Sequence, residues 1–455
     1  MILPSRRRIM AAALLAPAGV RAQQPPQAAS PLSKPILIEA RAADIRLRAE
    51  PKPLTAALTY NGASPGPTFR VKQGEQAVIR LTNKLQEETS IHWYGMNIGN
   101  KADGVAGLTE AALPAGASRD VTFAARDAGA YLYQPCVPGR TADQIERGLY
   151  GALIVEERQP PEADLDVAVV IDDWRLDDQS AYVPAGASQP GDLPRLGNVL
   201  TVNGSAKAAE ATVPTGGRAR LRLFNACGAR ILTIRFAGVP ATIVAMDGQP
   251  SSSAFQPKGA GAIMTPGGRI ELMIDLPGEP GQQFSVLAEL SAEVSVPLVI
   301  LKSDGPRRAA LPPIAPLPPN PLPDRLDLAR AQRVDLTIEG GPQSGGKPAP
   351  WTLNRRTGPV FAGDPFFRAK RGATVVLSFH NKTTIPQAMR LHGHHGRLLF
   401  AFDDGYDPFW IDTTLVQQGR TARLAFVADN PGKWALRSAM AELFDAGLGG
   451  WFEVA

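Results

Sequence analysis

The chain has only two cysteines, Cys136 and Cys227, among its 455 residues. Two cysteines are too few for a disulfide scaffold, and they fit no zinc motif built on paired cysteines. They either pair with each other in an oxidising compartment or stay buried as free thiols. The N-terminal apolar run, residues 9–20, is well short of the roughly 20 residues that span a bilayer, and Pro17 interrupts it. We therefore expect no stable membrane anchor.

A block of basic residues is also missing once the N-terminus is set aside. Residues 1–22 contain four arginines and no acid, so their removal lowers the formal net charge from +5 to +1. The whole-chain pI of 9.2 is therefore no sign of a basic surface. A nearly neutral chain without lysine and arginine clusters predicts no nucleic-acid partner.

The removed segment itself has the composition of an export signal. A basic start at Arg6, Arg7 and Arg8 precedes the apolar run, which is followed by a small-residue cleavage site ending at Ala22. The arginine pair followed by apolar residues resembles the twin-arginine signal of proteins that are exported already folded. We expect cleavage after Ala22 and a periplasmic location.

Glycine and proline are plentiful and predict an all-β chain. The 44 glycines and 42 prolines follow no fixed triplet period, which favours many turns between short strands. The hydrophobic fraction of 44% is ordinary for a globular protein, and the length allows two to four domains.

A strand pattern recurs three times at the same spacing. GEQAVIRLTN occupies residues 74–83, GGRARLRLFN residues 216–225 and GATVVLSFHN residues 372–381. Each run starts at a turn glycine, ends at a turn-prone asparagine and carries strand-forming residues between them. The three runs predict equivalent strands in three related units.

A second, longer repeat relates the first unit to the last. PAGASRDVTFAARDAGAYLY matches QQGRTARLAFVADNPGKWAL, and an aromatic, Tyr131 or Trp434, stands two residues after the second glycine of each. Repeats of this length are domains. We predict β-sandwich domains at residues 23–157, 158–303 and 325–455, with the proline-rich segment 304–324 as a linker.

Several motifs are similar to those of the multicopper oxidases, which are laccase-like enzymes with three cupredoxin domains. IHWYG at residues 91–95 and YLYQPC at residues 131–136 stand where that family has its His-x-His pairs. LTVNG, MDGQP and TPGGRIELMID resemble its second domain, and RLHGHHG, WIDTTLV and ADNPGKW its third. The resemblance implies three cupredoxin-like Greek-key β-sandwich domains.

The same resemblance implies the positions of the copper ligands. The family binds one electron-entry copper through two His, a Cys thiolate and usually a Met, and three further coppers through eight His. The electron-entry positions fall on Gln387, Ser438, Leu443 and Leu448, and the three-copper positions on His92, Tyr94, Gln134, Cys136, Arg390, His392, Arg437 and Ala439. Only His92 and His392 are still His, and in the family pattern they serve different coppers. A hydroxyl at Ser438 does not supply the soft sulfur that copper prefers.

We therefore expect neither a copper cofactor nor enzymatic activity. The sequence HGHHG, with His394 and His395, is interpreted as a remnant of the family's loop. A residual mononuclear site made of His92, His392 and Cys136 remains open. The tryptophans Trp93, Trp434 and Trp451 are expected in the core.

The leading hypothesis is a non-enzymatic periplasmic scaffold or binding protein with a protein partner. The segment GRTADQIERGLYG at residues 139–151 is compatible with the copper-free, SufI-like branch of the superfamily, which supports cell division. One alternative is a copper-dependent oxidoreductase of the family. Another is a protein that binds an anion or small molecule in the vacated copper cavity.

Arg390 and Arg437 fall where the family concentrates positive charge as metal ions. A buried guanidinium must find a carboxylate, a carbonyl or an anion. We expect these arginines to replace copper as the positive centre between the first and third domains, paired with acids such as Asp103 or with a bound anion.

The export signal gives the first testable prediction. N-terminal sequencing of the exported protein should read from Gln23, because the small-residue site ends at Ala22. Replacing Arg6 and Arg7 by lysine should block export if the twin-arginine route is used. An exported form that keeps Met1 contradicts the prediction.

Overall fold

The computed structural model of the protein describes residues 34–455, except 185–190, 239, 258, 260, 292, 324, 343–346 and 402. The predicted export signal at residues 1–22 lies outside the described residues. The regular secondary structure of the described part is almost wholly β-strand, which confirms the all-β prediction. The strands form six sheets, and hydrophobic clusters join the sheets in pairs.

The first sheet pair has the strand orders β2-β1-β4-β6 and β3-β8-β7-β5. A short helix, α1 (Thr141–Glu146), precedes its last strand. Trp93 and Tyr131 lie in the hydrophobic core of this pair. Its strands are β1 (Ile36–Ile45), β2 (Thr55–Tyr60), β3 (Gly66–Lys72), β4 (Gln76–Asn83), β5 (His92–Tyr94), β6 (Ser118–Ala124), β7 (Gly129–Gln134) and β8 (Gly151–Glu156).

The second pair has the orders β10-β9-β12-β17-β14-β15 and β11-β19-β18-β13-β16. Leucine, isoleucine and valine side chains from both of its sheets fill its core. Its strands are β9 (Leu165–Trp174), β10 (Val199–Val202), β11 (Ala209–Val213), β12 (Arg218–Asn225), β13 (Leu232–Ala237), β14 (Thr242–Met246), β15 (Gln249–Phe255), β16 (Gly261–Met264), β17 (Arg269–Asp275), β18 (Gln283–Glu289) and β19 (Ser295–Ser303).

The third pair has the orders β21-β20-β23-β27-β25 and β22-β29-β28-β24-β26. A short helix, α2 (Ala441–Asp445), precedes the last strand. Trp434 and Trp451 are 0% and 8% exposed, and Trp93 of the first pair is 1% exposed, so the three tryptophans are buried as predicted. The strands are β20 (Gln332–Gly341), β21 (Ala349–Leu353), β22 (Arg368–Ala369), β23 (Thr374–Asn381), β24 (Gln387–Leu391), β25 (Gly396–Leu399), β26 (Thr413–Val416), β27 (Thr421–Val427), β28 (Gly432–Ser438) and β29 (Gly449–Val454).

The three repeated runs form equivalent strands, β4, β12 and β23, as predicted. Each lies inside a sheet, parallel to the first strand of its pair and antiparallel to another strand. The closing residues Asn83, Asn225 and Asn381 also make the same set of side-chain hydrogen bonds. Each side-chain oxygen accepts from the backbone N–H two residues on, and each amide nitrogen donates to buried carbonyls. Asparagine recurs because its side chain satisfies both kinds of backbone group where the strand ends.

The arginine face of β12 is buried rather than solvated. Arg220 is 1% exposed and bonds Glu157 at 3.1 Å and Glu271 at 2.5 Å. Arg222 bonds Asp166 through two contacts of 2.8 Å. Since Glu157 follows directly on β8, this network ties the end of the first sheet pair to the middle of the second.

Residues 304–323 contain no strand, in keeping with the proline-rich linker that the sequence predicts. Asn320 is 7% exposed, and its side chain exchanges hydrogen bonds with the backbone of Ala128 at 2.8 and 2.9 Å. It also donates to Gln249 Oε1 at 2.8 Å. The linker is therefore fixed against both the first and the second sheet pairs. Among the described residues, none belongs to a helix long and apolar enough to cross a membrane.

Asn320→Ala tests how much this attachment contributes. The substitution leaves the buried N–H and C=O of Ala128 without partners, so we expect a loss of about 2 kcal/mol in the free energy of unfolding. Gln418→Ala, which removes an exposed amide, should change it by less than about 0.5 kcal/mol. Equal denaturant midpoints for the two variants would mean that the linker is not held by Asn320.

Candidate functional site

Strand register brings the predicted three-copper positions together in one buried cluster, at the place where the resemblance puts the copper cavity. On β5 and β7, His92 is opposite Gln134, and on β24 and β28, Arg390 is opposite Arg437. Like charges directly opposite each other on neighbouring strands repel. Both arginines are nevertheless almost completely buried, at 1% and 0% exposure. The surrounding groups must therefore compensate two guanidinium charges.

Arg390 stacks on Tyr94 and pairs with one carboxylate. Its guanidinium carbon lies 3.7 Å from the centre of the Tyr94 ring, and its Nη1 donates to Asp412 Oδ1 at 3.0 Å. The ring's negative face and the carboxylate both stabilise the cation. The Nε–H of Arg390 is buried without a hydrogen-bond partner among the described residues. One donor of Arg390 is therefore left for a ligand or water.

Asp412 also binds a third buried arginine, Arg269 on β17. Arg269 Nη2 donates to Asp412 Oδ2 at 2.5 Å and to the backbone oxygen of Asp247 at 2.7 Å. The carboxylate of Asp247 accepts from the backbone N of Asp412 at 3.2 Å. Burial and the neighbouring Asp412 carboxylate raise the pKa of Asp247 to about 6. This cluster connects the second sheet pair to the third.

Arg437 is held by three neutral acceptors. It donates to Tyr94 Oη at 2.6 Å, to the backbone oxygen of Ser438 at 2.8 Å and to His392 Nε2 at 3.1 Å. Its guanidinium carbon also lies 4.7 Å from the centre of the Phe444 ring. None of the ion pairs among the described residues includes Arg437. Its charge is balanced only at longer range.

The Asp445 carboxylate acts on this charge from a distance, and a hydrogen-bonded route runs from Arg437 through His392 to Asp103. His392 Nδ1 lies 3.3 Å from Asp103 Oδ2, and His92 Nδ1 lies 2.6 Å from the backbone oxygen of Asp103 and 3.3 Å from its Oδ1. Because His392 Nε2 accepts from Arg437, its proton must be on Nδ1, facing the carboxylate. His92 Nδ1 faces only acceptors, the backbone oxygen and the carboxylate of Asp103, so the proton of His92 is also on Nδ1. A chain of hydrogen bonds thus links Arg437, His392, Asp103 and His92.

Both histidines are neutral in this arrangement. Their rings stack with centroids 4.2 Å apart, and burial lowers the pKa of each below its usual value. Burial opposes ionisation of Asp103, yet the two imidazoles hold the pKa of its carboxyl below the usual range. His92 Nε2 has no hydrogen-bond partner among the described residues. The buried cluster therefore contains one acceptor, His92 Nε2, and one donor, Arg390 Nε, that the described side chains leave unpaired.

The four electron-entry positions are buried in the third sheet pair. Leu443 and Leu448 belong to its hydrophobic core. Ser438 Oγ accepts from the backbone N of Met440 at 3.1 Å, and Gln387 Nε2 donates to a threonine hydroxyl at 3.1 Å. Two leucines, a serine and an amide provide neither a thiolate nor an imidazole.

The remaining three-copper positions take part in ordinary packing. Gln134 Nε2 reaches the backbone oxygen of Ala226 at 3.5 Å, and the backbone N of Ala439 donates to the carbonyl of Ala388 at 2.7 Å. Cys136 and Cys227 are both buried as free thiols, so the disulfide alternative is not realised. Burial raises the pKa of Cys136 to about 11, which keeps it a thiol.

His394 and His395 do not join His392 in a metal-ligand cluster. His394 bonds the backbone at both ring nitrogens, and His395 Nε2 lies 3.2 Å from the backbone oxygen of Asp247. Among the described residues, His92 and His392 lie within ligand distance of one carboxylate, Asp103. The side chain grouped with the two histidines is therefore Asp103, and not Cys136 as in the residual site considered from the sequence.

The sequence-based expectation that Asp103 pairs with the buried arginines was wrong about the acid. Asp103 bonds the two histidines, and Arg390 pairs with Asp412 instead. The sequence suggested Asp103 because it lies close to His92 along the chain. Asp412 is brought to Arg390 by the pairing of β24 with β26, which the sequence does not show. Sequence reasoning also missed Asp247 and Arg269. Asp247, Arg269 and Asp412 lie in segments that resemble family motifs, MDGQP, TPGGRIELMID and WIDTTLV. The polar residues in those motifs were the signal that could have identified them.

Comparisons with known proteins agree with this architecture. Residues 43–160 and residues 329–455 match two family models, both described as multicopper oxidase. Multicopper oxidase MmcO of Mycobacterium tuberculosis is 26% identical over 437 residues, which cover 84% of this chain and 80% of that protein.

Two crystal structures show the same fold. A multi-copper oxidase from Pseudomonas thermotolerans matches with a TM-score of 0.81 at 28% identity, covering 94% of this chain and 100% of that one. Lac15 from a marine microbial metagenome matches with a TM-score of 0.76 at 30% identity, covering 92% of this chain and 100% of that one. These neighbours confirm the predicted cupredoxin-like β-sandwich fold.

Arg437→Ala tests whether the cavity is held by charge. The substitution strands Tyr94 Oη, His392 Nε2 and a backbone carbonyl, so we expect a loss on the order of 3 kcal/mol in the free energy of unfolding. Arg330→Ala, whose side chain is 90% exposed, should cost roughly 0.5 kcal/mol or less. Denaturant unfolding of both variants checks this, and an equal, small loss would mean that charge does not hold the cavity.

Proposed function

Because the chain belongs to the multicopper oxidase family, we propose that it keeps the family fold as a copper-free, non-enzymatic protein of the periplasm. The observation that carries the proposal is the hydrogen bond from Arg437 Nε to His392 Nε2. That bond occupies the lone pair with which an imidazole at this position would bind copper. The Arg437 guanidinium occupies the position of the metal ion at His392 Nε2, and because it cannot be deprotonated it keeps its charge and its hydrogen bond there.

The donor set as a whole does not fit the family's copper centres. Of the two remaining histidines, His92 has a free Nε2 lone pair and His392 does not. Arg390 and Arg437 lie close enough to lower the pKa of His92, so both would also repel a metal ion there. Ser438 supplies no thiolate for an electron-entry copper. We therefore derive no redox step for this protein.

A scaffold or binding role follows from what remains. Residues 1–22 carry the composition of an export signal, which supports a periplasmic location. Without a redox centre, the protein would act through the surfaces of its folded β-sandwiches, which bind other molecules. We propose a protein partner in the periplasm, with support of cell division as the role suggested by the resemblance to the SufI-like branch. Affinity capture with the folded, exported protein, followed by identification of bound proteins, tests this role.

Copper loading separates this proposal from the alternative of a copper-dependent oxidoreductase. After incubation with copper and removal of the excess, the protein should be colourless and contain far less than one copper per chain. A blue multicopper oxidase treated in parallel serves as the control. An intense thiolate-to-copper absorption band, or oxidation of laccase substrates that depends on bound copper, would overturn the proposal.

We also propose that the cavity binds a small anion near Arg390 and Arg437. Among the residues that the structure describes, Arg390 Nε–H has no partner and no carboxylate forms an ion pair with Arg437, and both observations favour this second candidate. An oxyanion would accept from Arg390 Nε and, once protonated, donate to His92 Nε2.

Melting curves with and without phosphate or sulfate test the anion site. The melting temperature of the wild-type protein should rise with anion concentration, and that of Arg390→Ala should not. Chloride at matched ionic strength controls for general salt effects. An identical response in both proteins would rule the site out.

A further inference from the structure

A second charged cluster lies outside the copper-derived cavity, where α1 and α2 meet. Arg195, from the segment between β9 and β10, donates from its backbone N to Glu442 Oε2 at 2.5 Å and from Nε to Glu442 Oε1 at 3.0 Å. Its Nη2 also bonds Glu146 Oε2. Glu146 ends α1 and Glu442 lies in α2, so one guanidinium joins all three sheet pairs.

The cluster is largely shielded from water. The side chains of Glu146, Glu442 and Arg195 are 13%, 19% and 23% exposed. Tyr182 Oη also donates to Glu146 Oε2 at 3.2 Å. A Cβ atom on Gly228 would lie 3.3 Å from Glu146 Cγ, so the glutamate packs closely on the backbone after β12. A charge at this position is therefore only weakly screened.

The charges in the cluster do not balance, because two carboxylates share one guanidinium. Asp173 is committed to Arg230 at 2.8 Å and to the backbone N of Gly197 at 2.6 Å. The ionisable groups around Glu146 are Tyr182, Arg175 and Arg195 from the segment after β9, Asp172 and Asp173 from β9, Glu442 from α2, and Asp143 and Arg147 beside it. Burial and the Glu442 carboxylate raise the pKa of Glu146 to about 7.

We propose that Glu146, Arg195 and Glu442 form a pH-sensitive latch that joins the three sheet pairs. With a proton on Glu146, the cluster contains one guanidinium, one carboxylate and a neutral carboxyl group, and its charges balance. When Glu146 ionises, a second negative charge is confined beside Glu442. The latch is therefore strongest in mildly acidic conditions and weakens towards alkaline pH.

The direction of the pH effect follows from linkage. A carboxyl whose pKa is higher in the folded state than in the unfolded state takes up a proton on folding. Its stabilising contribution is complete below its ordinary value of 4.5 and is lost as the pH rises to about 7. Buried histidines act in the opposite direction, since burial lowers the pKa of His394 to about 4. The effect of Glu146 must therefore be measured as a difference between variants.

Glu146→Gln supplies that difference, because glutamine imitates the protonated carboxyl group at every pH. We expect the unfolding constant of the wild-type protein to rise between pH 5 and pH 8, relative to that of the variant, on the order of tenfold or more. Glu442→Gln should reduce the same pH dependence, because Glu146 then has Arg195 to itself while its burial is unchanged. It also keeps the test available if the first variant does not fold. Glu156→Gln, which removes a half-exposed carboxylate that also pairs with an arginine, should follow the wild type.

Hydrogen exchange locates the effect in the structure. After correction for intrinsic rates, the amides of residues 139–146 and 441–445 should be less protected at pH 8 than at pH 6 in the wild type, and equally protected in Glu146→Gln. The proposal is overturned if both glutamine variants parallel the wild type in unfolding from pH 5 to pH 8, or if the wild-type protection of these segments does not change with pH.

Discussion

The rest of this structure depends on three guanidinium groups, those of Arg269, Arg390 and Arg437, which are buried together. Each buried cation costs several kcal/mol unless a partner of opposite charge or a set of acceptors meets it. Asp412 meets two of them, Arg269 and Arg390, with its two carboxylate oxygens. Asp103 meets the third, Arg437, only through the imidazole of His392. Removing Asp412 would leave Arg390 with the Tyr94 ring and Arg269 with Asp247 among their remaining partners.

The same contacts hold the sheet pairs against one another. Arg269 belongs to β17 of the second pair, and Asp412 precedes β26 of the third. Tyr94 of the first pair receives the Arg437 hydrogen bond at its hydroxyl and carries Arg390 on its ring. Charge compensation and assembly are thus achieved by one set of side chains. A packing defect at this centre would loosen all three pairs together, since the contacts of Arg269 with Asp412 and of Arg437 with Tyr94 each join two pairs.

Local patterns in the sequence were enough to predict the repeated strands. The runs ending at Asn83, Asn225 and Asn381 became equivalent strands because their turn residues and alternation act over a few neighbours. The partners of buried charges could not be predicted in this way. Arg390 reaches Asp412 across a strand pairing, and the arginine face of β12 is buried because acids from elsewhere in the chain cover it. Such contacts depend on sheet order and register, which local alternation does not specify.

Guanidinium and copper ions place similar demands on the fold and offer different chemistry. Both put positive charge where the sheet pairs meet, and both must be surrounded by oxygen or nitrogen atoms in fixed geometry. A copper ion needs deprotonated ligands and can exchange electrons, whereas arginine supplies its own donors and stays charged at any relevant pH. Under the proposed function, Arg390 and Arg437 at the ligand positions therefore keep a cationic centre without metal uptake. The recruited acceptors are residues that a copper site would also hold nearby, His392 and the Tyr94 position among them. Under the proposed function, the arginines maintain the family's architecture by electrostatics alone, and the protein loses the redox chemistry of the metal.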